Sequence, residues 1–272
     1  MNSFIHFNGD IFPSGTPLLT ADSRGFRYGD GLFETMKVKE ERILLLDQHY
    51  QRLLNGSLLL GLEPLTSEQF TGAVLDLCQR NGHSASARVR LTVFRGEMGQ
   101  DDAVQNYIIQ SWPLEKAAEK PGGLVLGTFP KGRKACDGLS HLKSNNYLLY
   151  SMAAMYARNH GWDDCLVLNS RERIADSSIA NLFYVMRDTI YTPPLSEGGV
   201  GGVMREWLIR ALSEAGFRVI EKPVAPEDLL MVDEVFLSNA IRGVRRVGHF
   251  SGTGYGDRVF QAVKKIVDDA CQ

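Results

Sequence analysis

The chain has 272 residues, 44% of them hydrophobic and 23% charged, with a formal net charge of -2. This length fits one large or two small domains, and the composition is ordinary for a folded globular protein. The charge balance leaves no footprint for nucleic acid or an anionic membrane, and no apolar run approaches the ~20 residues of a membrane helix. Met1-Asn2-Ser3-Phe4-Ile5-His6 has no basic or apolar region of a signal peptide, so a cytoplasmic protein is expected. Cys78, Cys136, Cys165 and Cys271 lie far apart, without CxxC or zinc-ligand spacing. They read as reduced thiols, and no metal is expected.

Phe4 to Asn8 reads as a strand turned by Asn8-Gly9-Asp10. Thr20 to Gly31 is a glycine-rich polar loop whose spacing is not that of a nucleotide-binding fingerprint. Leu32 to Val38 alternates like a strand, Glu40-Glu41-Arg42 turns, and Ile43 to Leu46 is a second strand. Asp47 is expected to cap a helix to about Leu60, with Leu53, Leu54, Leu58 and Leu59 on its buried side. Another helix runs from about Phe70 to Asn81 and stops at Asn81-Gly82. Ala87 to Phe94 is a strand with Arg88, Arg90 and Thr92 on one face; its arginines either are solvated or line an anion pocket. Asn106 to Trp112 is a further strand.

Pro113 to Gly123 is charged, proline-bounded and glycine-ended. It places an interdomain linker at 116–123, between an N-terminal α/β domain (1–115) and a C-terminal one (124–272). In the second domain Leu124 to Phe129, Asp164 to Leu168, Ile174, Asn181 to Val185 and Thr189 to Tyr191 read as strands. Gly198 to Gly202 leads into an amphipathic helix, Arg205 to Gly216, and is either a phosphate cradle at a helix N-terminus or a flexible connection. Arg218 to Ile220 is a strand, Pro226 to Leu230 a helical turn, Glu234 to Ser238 a strand, and Asp257 to Cys271 a closing helix.

The chemistry is expected at His141-Leu142-Lys143-Ser144-Asn145-Asn146-Tyr147, which runs into a helix, Tyr147 to His160, with Leu148, Met152, Met155 and Tyr156 at helical spacing. Lys143 is either a solvated lysine or one held at a half-buried helix start. In the second case its pKa falls, as a Schiff-base lysine requires.

Lys143, Asp176, Gly201-Gly202-Val203 and Arg52 together resemble the class IV aminotransferase family, the pyridoxal-phosphate enzymes of fold type IV, over nearly the whole chain. Tyr28 to Thr35 is similar to the family's N-terminal active-site segment, His49-Tyr50-Gln51-Arg52-Leu53 to its H-x-x-R-L helix, and Leu142 to Leu148 to its Schiff-base motif. Ile174 to Phe183 resembles the segment whose acid meets the pyridine nitrogen. Tyr191 to Leu195 with Gly202 to Arg205 resembles the phosphate loop, and Asp233 to Ala240 the last motif. The resemblance implies a mixed α/β, two-domain fold with the active site between the domains and the lysine in the second. It also implies pyridoxal 5'-phosphate as cofactor, a small-molecule substrate and a homodimer.

Site roles follow from the same resemblance. Lys143 forms the Schiff base, Asp176 faces the ring nitrogen, and Tyr147 meets the phenolic oxygen. Arg52, Gly202, Val203, Met204, Asn239 and Ala240 surround the phosphate. Two positions depart from the family: Asp176 stands where glutamate is usual, and Ala240 where threonine is common. The family contains amino-acid transaminases and 4-amino-4-deoxychorismate lyase. Thr35 after Glu34, Asn239-Ala240, and Arg88-Val89-Arg90-Leu91 together with Leu142-Lys143-Ser144 resemble the lyase; Gly96 to Asp102 lacks the Arg-Gly-Tyr run of other lyases. On the lyase reading Lys143 is the base, Thr35 shuttles a proton to departing pyruvate, and Arg27 and Arg90 take the substrate carboxylates. The alternatives are a branched-chain or D-amino-acid transaminase and a non-catalytic member of the fold.

Overall fold

The computed structural model describes residues 4–99, 101–115 and 120–270. Contacts divide the chain into two units: Met1–Lys116 with Leu142–Asn146, and Ala117–His141 with Tyr147–Gln272. Residues 116–119 of the expected linker, Gln100 and Cys271 lie outside the described residues.

In the first unit, β1 (Phe4–Phe7) and β2 (Asp10–Pro13) form the expected hairpin, turned at Asn8 and Gly9, which both have positive φ. The polar loop that follows holds a short helix, α1 (Arg24–Tyr28), capped by the Ser23 hydroxyl and closed by Gly29 in the left-handed region. Next come β3 (Gly31–Lys39), β4 (Arg42–Ile43), α2 (Leu46–Leu59), α3 (Ser67–Arg80), β5 (Ser86–Arg95) and β6 (Gln105–Pro113). The strands form an antiparallel sheet in the order β2-β1-β6-β5-β3-β4. β3 and β5 pair along their full lengths, from Gly31↔Phe94 to Lys39↔Ser86. Met36, Val38, Val89, Leu91 and Val93 of this sheet form one core with Leu53 of α2 and Phe70 and Leu77 of α3.

Two expectations for α2 are corrected. Its N-cap is Leu45, in the left-handed region and without a side-chain cap bond; Asp47 lies within the first turn, where its charge complements the helix dipole. The buried stripe is His49, Leu53, Gly56 and Ser57, whereas Leu58 and Leu59 are 59% and 53% exposed. A period of 3.6 residues carries the last two past the edge of that stripe. Gly56 lets α2 approach Leu32 closely: a Cβ there would lie 2.7 Å from Leu32 Cδ1 and would make that side chain shift.

Leu142–Asn146 packs with this first unit, not with the second as the linear boundary implied. Phe33 N–H donates to the Lys143 carbonyl and Asn145 N–H to the Gly31 carbonyl, both at 2.9 Å, and Ser144 bridges Leu32. The backbone at the start of β3 thus takes Lys143 as an added extended segment, because its donors and acceptors are satisfied that way. Lys143 is therefore not at a helix start; the helix begins at Leu148.

The second unit contains β7 (Leu124–Thr128), α4 (Leu148–Asn159), β8 (Asp164–Leu168), β9 (Ile174–Ser177), β10 (Asn181–Met186) and β11 (Thr189–Thr192). After a 3-10 turn at Leu195–Glu197 come α5 (Val203–Glu214), β12 (Arg218–Glu221), a 3-10 turn at Pro226–Met231, β13 (Glu234–Asn239), β14 (Gly243–Phe250), β15 (Thr253–Gly254) and α6 (Arg258–Ala270). The mixed sheet runs β12-β11-β10-β13-β14-β7-β8-β9, with β15 beside β14. β14 is not among the expected strands, because Arg245 and Arg246 break its apolar alternation; Val244, Val247 and Phe250 are nonetheless buried. On α4 the stripe of Leu148, Met152 and Met155 is exposed, Leu148 by 75%. Tyr150, Ala153 and Ala157 face the core instead, against Phe129, Cys165 and Val167. α5 starts at Val203 with Gly202 as N-cap, two residues earlier than expected. Among the described residues no helix is long and apolar enough to cross a membrane.

Candidate active site

In the first unit the residues around Lys143 follow from the period of a strand. Phe33 and Thr35 lie two apart on β3 and so share a face, opposite Thr92 and Arg90 of β5. The Lys143 ammonium lies 4.4 Å from the Phe33 ring centroid, and the Arg90 guanidinium 3.8 Å from the same centroid. Arg90 Nε donates to the Thr92 hydroxyl at 3.2 Å. One aromatic ring therefore gathers Lys143 and Arg90, with Thr35 paired across the strands to Arg90.

Glu34 points to the other face and is buried with α2. Its carboxylate accepts from Arg52 Nε at 2.7 Å, from Arg52 Nη2 at 2.5 Å and from His49 Nδ1 at 2.6 Å. Burial opposes the charge, but Arg52 and then His49 outweigh it and hold the Glu34 carboxyl at about 2. Burial lowers the His49 pKa, against the pull of Glu34. A carboxylate can only accept, so Nδ1 carries the His49 proton, and Nε2 is buried with no partner among the described residues. The sequence reading named Arg52 but missed Glu34 and His49 as its support; the i, i+3 spacing of His49 and Arg52 was the available signal. Arg27 lies on α1, bound to Asp22 at 2.6 Å and to the Ala21 carbonyl at 2.7 Å.

The second unit centres on Asp176 of β9. Its Oδ2 accepts from the Tyr150 hydroxyl at 2.8 Å and from Val200 N–H at 3.0 Å. Its Oδ1 is buried and has no hydrogen-bond partner among the described residues. Burial lifts the Asp176 carboxyl to about 6. Lys134 lies with its ammonium 4.9 Å from the Tyr150 ring. Neither Tyr150 nor Lys134 was singled out from the sequence. The Tyr147 hydroxyl donates to the Ser178 carbonyl at 2.9 Å.

The glycine loop is shaped by close approach. Added Cβ atoms would lie 2.4 Å from the Ala175 carbonyl at Gly199 and 1.9 Å from Asn181 Oδ1 at Gly202. Asn181 Nδ2 holds the Val200 carbonyl at 2.8 Å and lies opposite Ser238, whose buried hydroxyl has no partner among the described residues. Gly202, Val203 and Met204 form the N-terminal end of α5, whose first N–H groups have no partners within the helix. Asn239 accepts from Ile241 and Arg242 N–H, closing a turn around Ala240.

The family model for class IV amino-transferases matches residues 31–250. The chain belongs to the class IV aminotransferase family. It is 27% identical over 268 residues to the aminodeoxychorismate lyase of Bacillus subtilis, covering 96% of this chain and 92% of that protein. To the branched-chain-amino-acid aminotransferase of Escherichia coli K12 it is 23% identical over 282 residues, covering 98% and 91%. Among solved structures, the T.th. branched-chain amino acid aminotransferase with pyridoxamine 5'-phosphate superposes with a TM-score of 0.89 at 22% identity, over 99% of this chain and 94% of that one. The fold is accordingly type IV, and the cofactor of this class IV enzyme is pyridoxal 5'-phosphate.

The residues present fit that cofactor. The buried Asp176 Oδ1, without a partner among the described residues, suits a protonated ring nitrogen. A glycine-shaped helix N-terminus, with the Ser238 hydroxyl unpartnered among the described residues, suits a phosphate.

Proposed function

We propose that this class IV enzyme is a lyase that converts 4-amino-4-deoxychorismate to 4-aminobenzoate and pyruvate. The observation that carries the reading is the grouping of Lys143 and Arg90 on the Phe33 ring, with Thr35 opposite Arg90. It supports the reading because the elimination needs a base, a carboxylate-binding cation and a proton donor, and Lys143, Arg90 and Thr35 are the residue types for these roles.

Bound pyridoxal phosphate would supply an electrophilic aldehyde for the substrate amine and an electron-accepting pyridinium ring. Asp176 keeps the ring nitrogen protonated. Lys143 Nζ removes the proton from the amine-bearing carbon. Arg90 holds a substrate carboxylate with charge-assisted hydrogen bonds, fixing the ring for loss of the ether-linked enolpyruvate. Thr35 Oγ1 passes a proton to the departing group. Arg52, its guanidinium plane fixed by Glu34, would offer charge-assisted donors to the phosphate, and the N–H groups of Val203 and Met204 would offer backbone donors. The carbon–oxygen bond breaks as the substrate ring aromatises, so no oxidant or keto acid is consumed.

The second reading is an amino-acid aminotransferase, favoured by the similarity to branched-chain enzymes over the same span. Purified enzyme mixed with aminodeoxychorismate and no keto acid should yield 4-aminobenzoate and pyruvate. D-alanine or L-leucine should convert the cofactor to its pyridoxamine spectrum slowly or not at all. Rapid conversion by either amino acid without 4-aminobenzoate would replace the lyase with the transaminase.

A further inference from the structure

An aspartate one methylene shorter than the family's usual glutamate must reach the ring nitrogen with less freedom to adjust. Its two oxygens are also interchangeable by rotation about a soft torsion. In this chain the rotation is blocked from one side. Both donors, the Tyr150 hydroxyl from α4 and Val200 N–H from the glycine loop, fall on Oδ2. Oδ1 is left buried without a partner among the described residues.

Each donor is there for a stated reason. Tyr150 sits in an apolar cluster with Phe129, Ala153, Ala157 and Val167, where a phenylalanine ring would pack as well. Its hydroxyl is the polar atom carried into that cluster, and burying it unpaired is costly. Val200 N–H comes within reach because Gly199 has no side chain to strike the Ala175 carbonyl. Lys134, against the Tyr150 ring, adds a positive charge that offsets Asp176, while Asp164 adds a negative one.

We infer that Tyr150 is a positioning residue: with Val200 N–H it locks Asp176 Oδ2, so that Oδ1 is the oxygen presented to the cofactor's ring nitrogen. The inference rests on the pyridoxal-phosphate reading of Asp176 and adds to it the device that lets a short acid serve. Because the hydroxyl acts through Asp176 and touches no reacting atom, its loss should change the protonation of the ring nitrogen more than the fold.

The test uses the full chain loaded with pyridoxal phosphate labelled with nitrogen-15 in the ring, in the wild type, Tyr150→Phe, Tyr150→Gln and Asp176→Asn. The ring-nitrogen chemical shift and the cofactor dissociation constant are read, and borohydride reduction with peptide mapping checks attachment to Lys143. Wild type should show a protonated ring nitrogen and Asp176→Asn a neutral one. Tyr150→Phe should shift part of the way, with roughly tenfold weaker cofactor binding. Tyr150→Gln carries a donor that falls short of Asp176 Oδ2, so its nitrogen shift should follow that of Tyr150→Phe. Packing alone predicts Tyr150→Phe like wild type in nitrogen shift and cofactor affinity, and that result overturns the inference while leaving the role of Asp176 intact. A nitrogen shift insensitive to Asp176→Asn, or no cofactor on Lys143, overturns the reading beneath it as well.

Discussion

Arg52 and Glu34 meet as a fork, with Nε 2.7 Å from Oε1 and Nη2 2.5 Å from Oε2. The guanidinium proposed to meet the cofactor phosphate is thus held in one plane by a buried carboxylate from the neighbouring strand. Such bidentate geometry is specific to arginine.

This pair sets a pH dependence. Glu34 is held at about 2 against an ordinary 4.5, so its contribution to stability is fully present above pH 4.5 and is lost as pH falls toward 2. At about 1.4 kcal/mol per unit the contribution is roughly 3 kcal/mol. Glu34→Gln should therefore be less stable than wild type at neutral pH, and the gap should close on acidification. Urea unfolding at a series of pH values reads it; a gap independent of pH would show that the pair has no part in acid stability.

Arg52→Ala should weaken cofactor binding, since it removes a charge-assisted contact worth ~1.5–3 kcal/mol. Equilibrium titration of the apoprotein with pyridoxal phosphate measures the change. An unaltered dissociation constant would reduce Arg52 to a partner of Glu34.

Lys143→Ala should abolish turnover, and borohydride reduction of the wild type should fix the cofactor on Lys143. Label recovered on a different lysine would remove Lys143 from its role, whatever the activity of the variant.

Arg90 and Arg27 separate as substrate ligands. Arg90 lies 3.8 Å over the ring that also meets Lys143, whereas Arg27 is engaged by Asp22. Arg90→Ala should raise KM by roughly tenfold to a hundredfold, and Arg27→Ala much less. Steady-state kinetics with aminodeoxychorismate compares them; a larger rise for Arg27→Ala would exchange their roles.

Asp176→Glu restores the usual family residue but has to fit one more methylene where Asp176 is buried between Tyr150, Val200 and Gly199. Overpacking of this kind costs about 1–3 kcal/mol. The variant should melt earlier than wild type. An unchanged or higher melting temperature would mean that the loop yields.

What the sequence determined by itself was mostly local. Strand alternation in Leu32–Val38 and Ala87–Phe94, the Asn8-Gly9 turn and the family motifs around Arg52, Lys143 and Asp176 are patterns of neighbouring residues, which periodicity and residue chemistry expose. Tertiary structure decided what depends on contacts far apart in the chain. Lys143 lies beside β3 because the backbone at Gly31 and Phe33 needed partners. β14 is a strand despite its arginines, because β13 and β7 offer it ladders on both sides. α2 and α4 bury faces other than their richest apolar stripes, because Gly56 in the one and Ala153 and Ala157 in the other allow close approach. The bond from Tyr150 to Asp176 joins residues 26 apart, a pairing that no local spacing encodes.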